Sequence, residues 1–117
     1  MKYLCLAYGA EQDWKALPKS EQEALLAQDE VLRQRGAIVA AVQNAVTTVR
    51  AWRGAPSTSN EPFTQSRAPL AGFCIIDAAN LDEVVRLVAG TPCARAKGAI
   101  EVRPILAINE PKPPPRR

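Results

Sequence analysis

The chain has 117 residues, 47% hydrophobic and 23% charged, which is ordinary usage for one globular domain and leaves no room for a second. Area scaling gives folding of such a chain roughly two-thirds of its surface to bury, enough for one core but little for a deep pocket without a partner chain. No stretch approaches the ~20 apolar residues of a membrane span, and the net charge of +3 comes from Lys112, Arg116 and Arg117 alone, so residues 1–110 are formally neutral and offer no nucleic-acid surface.

Lys2 to Tyr8 is apolar on both alternating faces, Leu4, Leu6 and Tyr8 on one and Tyr3, Cys5 and Ala7 on the other, which predicts a strand covered on two sides. Ser20 with Glu23 reads as a capping box. The stripe Ala24, Leu25, Ala27, Val31, Leu32 then predicts a helix over 20–35, stopped at Gly36. Ala37 to Gln43 and Thr47 to Arg53, rich in Val, Ile and Thr and broken at Asn44, predict two strands, the second closing on Arg53-Gly54. Pro56, Pro62 and Pro69 among Ser, Thr and Asn make 55–69 mostly loop. Leu70 to Ile76 is a second strand apolar on both faces. Asn80 and Glu83 open a helix with an apolar seam at Leu81, Val84, Val85 and Val88, ending near Gly90 and Pro92. Ala99 to Ile105 alternates as a last strand. The segment 111–117, with four prolines and three basic residues, is expected to be a disordered tail after a single domain over 1–110.

The order of elements predicts an α+β fold, a ferredoxin-like split βαβ antiparallel sheet with two helices on one face. Two helices cover one face of a four-stranded sheet. Strands apolar on both faces then require a lid, and a second copy placed sheet to sheet supplies it, giving a homodimer of the α/β-barrel type.

Three cysteines, Cys5, Cys74 and Cys93, form no C-x-x-C pair, which suits a reducing cytoplasm; Cys93, in Thr91-Pro92-Cys93, is expected on an exposed turn. The sequence holds no histidine. Histidine-dependent relays and the common metal triads are thereby excluded, so neither metal nor cofactor is expected.

Residues 60–77, N-E-P-F-T-Q-S-R-A-P-L-A-G-F-C-I-I-D, resemble the stretch D-G-P-F-A-E-T-K-E-Q-L-G-G-F and its following strand in the YCII-related family. Pro62, Phe63, Leu70, Gly72, Phe73 and Asp77 agree, with Arg67 where that family has a cation. Met1-Lys2-Tyr3 through Tyr8-Gly9, Leu81-Asp82-Glu83 and Gly98-Ala99-Ile100-Glu101-Val102-Arg103-Pro104-Ile105 are similar to its opening, second helix and closing strand. The resemblance implies a dimeric α/β barrel, members of which work on small molecules or are encoded beside sigma factors. Asn60, Glu61 and Gln65 stand where the resemblance places Asp, Gly and Glu, and an amide takes up no proton near neutrality.

These readings place a small, anionic ligand in a cleft by the 60–70 loop. Tyr8, Asn60, Phe63 and Arg67 would bind it, and Glu61 is the candidate catalytic acid or base. Catalysis is expected to be weak or absent. The alternative is a protein-interaction or regulatory adaptor associated with a sigma factor, without membrane or nucleic-acid partners.

Overall fold

Lys2–Tyr8 forms β1, as the pattern requires, and lies at the centre of the computed structural model, which describes residues 1–109 and 111–115. β1 is followed by α1 (Glu11–Lys15), α2 (Lys19–Gln34), β2 (Ile38–Ala41), β3 (Thr48–Arg50), β4 (Ser57–Ser59), β5 (Leu70–Asp77), α3 (Leu81–Val88), α4 (Pro92–Arg95) and β6 (Ala99–Pro104). The main sheet has the order β2-β5-β1-β6, and its pairings are all antiparallel. This is the expected split βαβ arrangement.

The long helices end where local chemistry dictates. At the end of α2, Gly36 takes φ +90°. Its N–H donates to the Arg33 carbonyl at 2.9 Å, and the Ala37 N–H donates to Leu32 at 3.1 Å, a closure that a residue without Cβ enters at no steric cost. The Asn80 side chain accepts from the Glu83 N–H at 2.9 Å and so starts α3. The expected Ser20 cap of α2 is not formed. Its N-cap is Pro18, whose fixed φ already suits helix entry, and Ser20 lies inside the first turn.

The region 47–69 departs further from expectation. Thr48–Arg50 does not join the main sheet but pairs with Ser57–Ser59, inside the stretch expected to be loop, as a separate two-stranded ribbon turned at Gly54. Two short helices, α1 and α4, were outside the expected pattern. Pro111 to Pro115 have no helix or strand; the remainder of the expected tail, Arg116 and Arg117, lies with Glu110 outside the described residues.

Alternation in the strands divides the sheet into two chemically different faces. Tyr3 and Cys5 of β1 and Cys74 and Ile76 of β5 form the core with Leu32 of α2 and Val84 and Val88 of α3. Gln28 Nε2 donates to the Leu87 carbonyl at 2.8 Å, and Arg35 pairs with Glu83, so α2 and α3 are tied to each other above that core. On the opposite face the register sets Ile38, Ile75 and Leu4 in one row and Ala40, Phe73 and Leu6 in the next. Ile38 is 59% exposed, and among the described residues no helix covers these rows.

Candidate functional site

The structure spreads the sequence-predicted site residues over two elements. Tyr8 ends β1 on the helix-free face, opposite Leu70 and Ala99; burial, then the neighbouring Glu101 carboxylate, raises its hydroxyl above the usual phenol range. Asn60, Glu61, Phe63 and Arg67 all lie exposed in the loop between β4 and β5. The Glu61 carbonyl accepts from Thr48 Oγ1 at 2.6 Å, which ties the loop to β3. Phe63 is 69% exposed, with the Arg50 guanidinium 5.3 Å above its ring, a cation–π distance. The loop meets the end of β1 where the Gly9 N–H donates to the Pro69 carbonyl at 3.0 Å and Tyr8 pairs with Leu70, and among the described residues no ion pair joins Glu61 to Arg67.

A partly open concave space lies elsewhere, on the helix-covered side of the sheet. A cavity of about 170 Å³ lies between β1, β2 and β5 and the helices α2 and α4, lined by Cys5, Asp29, Leu32, Val39, Cys74 and Cys93 among others. A more open recess of about 450 Å³ adjoins it at Ala71, Pro92 and Cys93, with Trp14, Glu11 and Asn44 on its other walls. The recess exists because α1 and α4 flank the end of β1. Gln22 Nε2 donates to the Trp14 and Leu17 carbonyls at 3.0 and 3.2 Å, which fixes α1 against α2. Trp14 thus lines a pocket, whereas Trp52 is exposed.

Cys93, expected on an exposed turn, is instead half-buried in α4 against Gly9, where an added Cβ would come 2.9 Å from its Sγ. Burial, then the Asp29 charge, raises its thiol above the ordinary value. Cys5 and Cys74 face each other across the β1–β5 register. The hydrogen bond they share pulls the Cys5 thiol down and, with burial, pushes the Cys74 thiol up. Cys74 and Cys93, both shifted up, serve the cavity as polarisable walls rather than nucleophiles.

Asp29 is the one charged side chain of the cavity, and no Lys or Arg lines it. Burial raises its carboxyl above the ordinary aspartate value, the response of an acid removed from water without a cation beside it. Sequence reasoning missed this residue among the charges of α2. The signal was its spacing, four residues after Leu25 and three before Leu32, inside the buried stripe.

A stability prediction follows from that shift. Because the folded chain holds the Asp29 proton more tightly than the unfolded one, ionising Asp29 lowers stability. The loss is absent below the unfolded carboxylate range near pH 4 and develops as pH rises through the folded value. Asp29→Asn is expected to raise Tm at pH 7.5, with the gain shrinking towards pH 4; a lower Tm for the variant at pH 7.5 contradicts the assignment.

Among the described residues no group of three or more His, Cys, Asp or Glu side chains is placed to hold a metal ion, and no helix is long and apolar enough to cross a membrane. Compared with known proteins, the family description of the YCII-related domain matches residues 1–109. Among solved structures, the chain is similar to 5-chloro-2-hydroxyhydroquinone dehydrochlorinase from Burkholderia phenoliruptrix AC1100 in complex with 2,5-dihydroxybenzoquinone, with 20% identity, 90% of this chain and 93% of that chain covered, and a TM-score of 0.47. None of the curated proteins matches the chain.

Proposed function

The chain belongs to the YCII-related domain family, and from that premise we propose that it binds a small neutral molecule between its sheet and the helices α2 and α4, with weak or no turnover. One observation carries this reading: an apolar cavity of about 170 Å³ opens beside a recess of about 450 Å³. A dry cavity of about 150 Å³ is already large enough for benzene. Among the described residues the charged side chains of the two linings are the acids Asp29 and Glu11, the latter paired with Lys15 at 3.1 Å, so the site disfavours anions. Weak turnover rests on the sequence, where Asn60 replaces the acid of the family motif and no histidine is present.

Filling the cavity tests the reading. Ala7 lines it from β1 and is half-buried, so Ala7→Leu places three more carbons in the space. In a thermal-shift screen, neutral ring-sized compounds are expected to raise the Tm of the native chain, and Ala7→Leu to abolish that response while folding normally. A response that survives the substitution puts the ligand elsewhere.

A second reading keeps the ligand at the 60–70 loop. The stacking of Arg50 on Phe63, with Arg67 nearby in sequence, suits a small anion there, with Asn60 and Tyr8 bounding the cleft and Glu61 as its acid. Under this reading carboxylates raise Tm and Arg67→Ala removes their effect.

A homodimer formed through the helix-free sheet face would cover Leu4, Leu6, Phe73 and Ile75, which are part-buried in the single chain, and the exposed Ile38. Light scattering at low micromolar concentration is expected to give twice the 12.7 kDa chain mass. Leu6→Glu, which sets a second carboxylate opposite Glu101, is expected to give a folded monomer. A native chain that is monomeric contradicts the dimer.

A further inference from the structure

The cavity combines two properties that together select a ligand. Its walls are largely aliphatic side chains and cysteines, which reward a molecule for leaving water without giving it direction. Asp29 supplies the direction. The carboxylate projects from α2 into a space whose other polar side chains are Cys5 from β1, Cys74 from β5, Cys93 from α4 and Thr91. Thr91 is spoken for, because its hydroxyl donates to the Val88 carbonyl at 2.6 Å. The thiols are weak donors. Asp29 therefore has no strong donor among the side chains lining the cavity with it, although an acid in such surroundings gains most from one.

We infer that the cavity is a binding site for a neutral, ring-sized molecule carrying a hydroxyl group, which Asp29 holds by accepting the hydroxyl proton in a hydrogen bond. This rests on the cavity being the ligand site and adds the chemical class that the site takes. Size sets the upper bound: about 170 Å³ admits one six-membered ring with a small substituent. Sign excludes anions, since a ligand carboxylate would meet Asp29 without an intervening cation. The hydroxyl is the part that discriminates, because a carboxylate without its donor is left desolvated when an apolar ring fills the cavity.

Three probes of nearly equal size separate the possibilities: phenol, toluene and benzoate. Phenol is neutral at pH 7.5, since phenolic protons are lost only near pH 10. By calorimetric or fluorescence titration of the full chain, phenol is expected to bind about tenfold or more tightly than toluene, with benzoate weakest, in line with a charge-assisted hydrogen bond. Asp29→Leu is expected to bring the phenol-to-toluene ratio to about one or below. Asp29→Asn, which keeps shape and polarity, should lie between the two. Equal binding of phenol and toluene by the native chain, with both lost in Ala7→Leu, overturns the role of Asp29 and leaves the cavity as the ligand site. Failure of both neutral probes to bind, or binding untouched by Ala7→Leu, overturns the cavity itself.

Discussion

Gly98→Ala is expected to be among the most damaging single-methyl additions in the chain. A Cβ at residue 98 would lie 2.0 Å from the Tyr8 carbonyl oxygen and 2.7 Å from that of Cys93. Both obstacles are backbone, so no side-chain rotation relieves them. Either β6 moves away from β1 at their first pair, Tyr8 and Ala99, or α4 moves off the end of the sheet. Overpacking of well-fitted sites typically costs about 1–3 kcal/mol and more where the neighbours cannot give; about 3 kcal/mol is expected here. Because α4 also walls the cavity and the recess, the variant should lose small-molecule binding together with stability. An unfolding free energy within about 0.5 kcal/mol of native contradicts the close approach.

Leu32→Ala comes next in size. Leu32 is 1% exposed, packs with Tyr3, Cys5, Cys74 and Ile76, and borders the cavity on one side. Leucine truncation in a core costs about 2–5 kcal/mol, the larger values where the hole stays open. One flank of Leu32 already faces empty space and so has fewer contacts to lose. That places the expected cost at about 2–3 kcal/mol, a fall in Tm on the order of 10 °C. Leu26→Ala provides the contrast on the same helix: Leu26 is 52% exposed, and its truncation is expected to stay within about 0.5 kcal/mol. Equal costs for the two would contradict the assignment of the buried face of α2.

The residues that announced the fold were those whose signals are local. β1 and β5 were legible because the runs Tyr3 to Tyr8 and Leu70 to Ile76 carry no charged residue on either alternating face, and Gly36 and Asn80 marked helix ends by chemistry that needs only a few neighbours. α1 and α4, of five and four residues, are too short for a helical period to show. β3 lies within the strand expected over 47–53, but its partner Ser57–Ser59 has no apolar residue to mark it, so the ribbon the two form was not legible. The cavity was less legible still. It depends on the antiparallel register that sets Cys5 against Cys74 and on the packing of Cys93 against Gly9, and a linear reading assigns those thiols to three unrelated places. Asp29 sits between Gln28 and Glu30 and reads as one more solvated charge until the helix is turned so that Leu25 and Leu32 face the sheet. The loop motif drew attention because its residues are adjacent in sequence, whereas enclosure is made by elements far apart in the chain.

The central claim, that the ligand enters between the sheet and α2 and α4, is tested most directly by backbone amide chemical-shift mapping of the isotope-labelled full chain titrated with phenol. Saturable shifts concentrated at Asp29, Leu32, Cys74 and Cys93, with residues 60–67 unmoved, are the predicted result. Saturable shifts confined to Asn60, Glu61, Phe63 and Arg67, with the cavity amides unmoved, would contradict it.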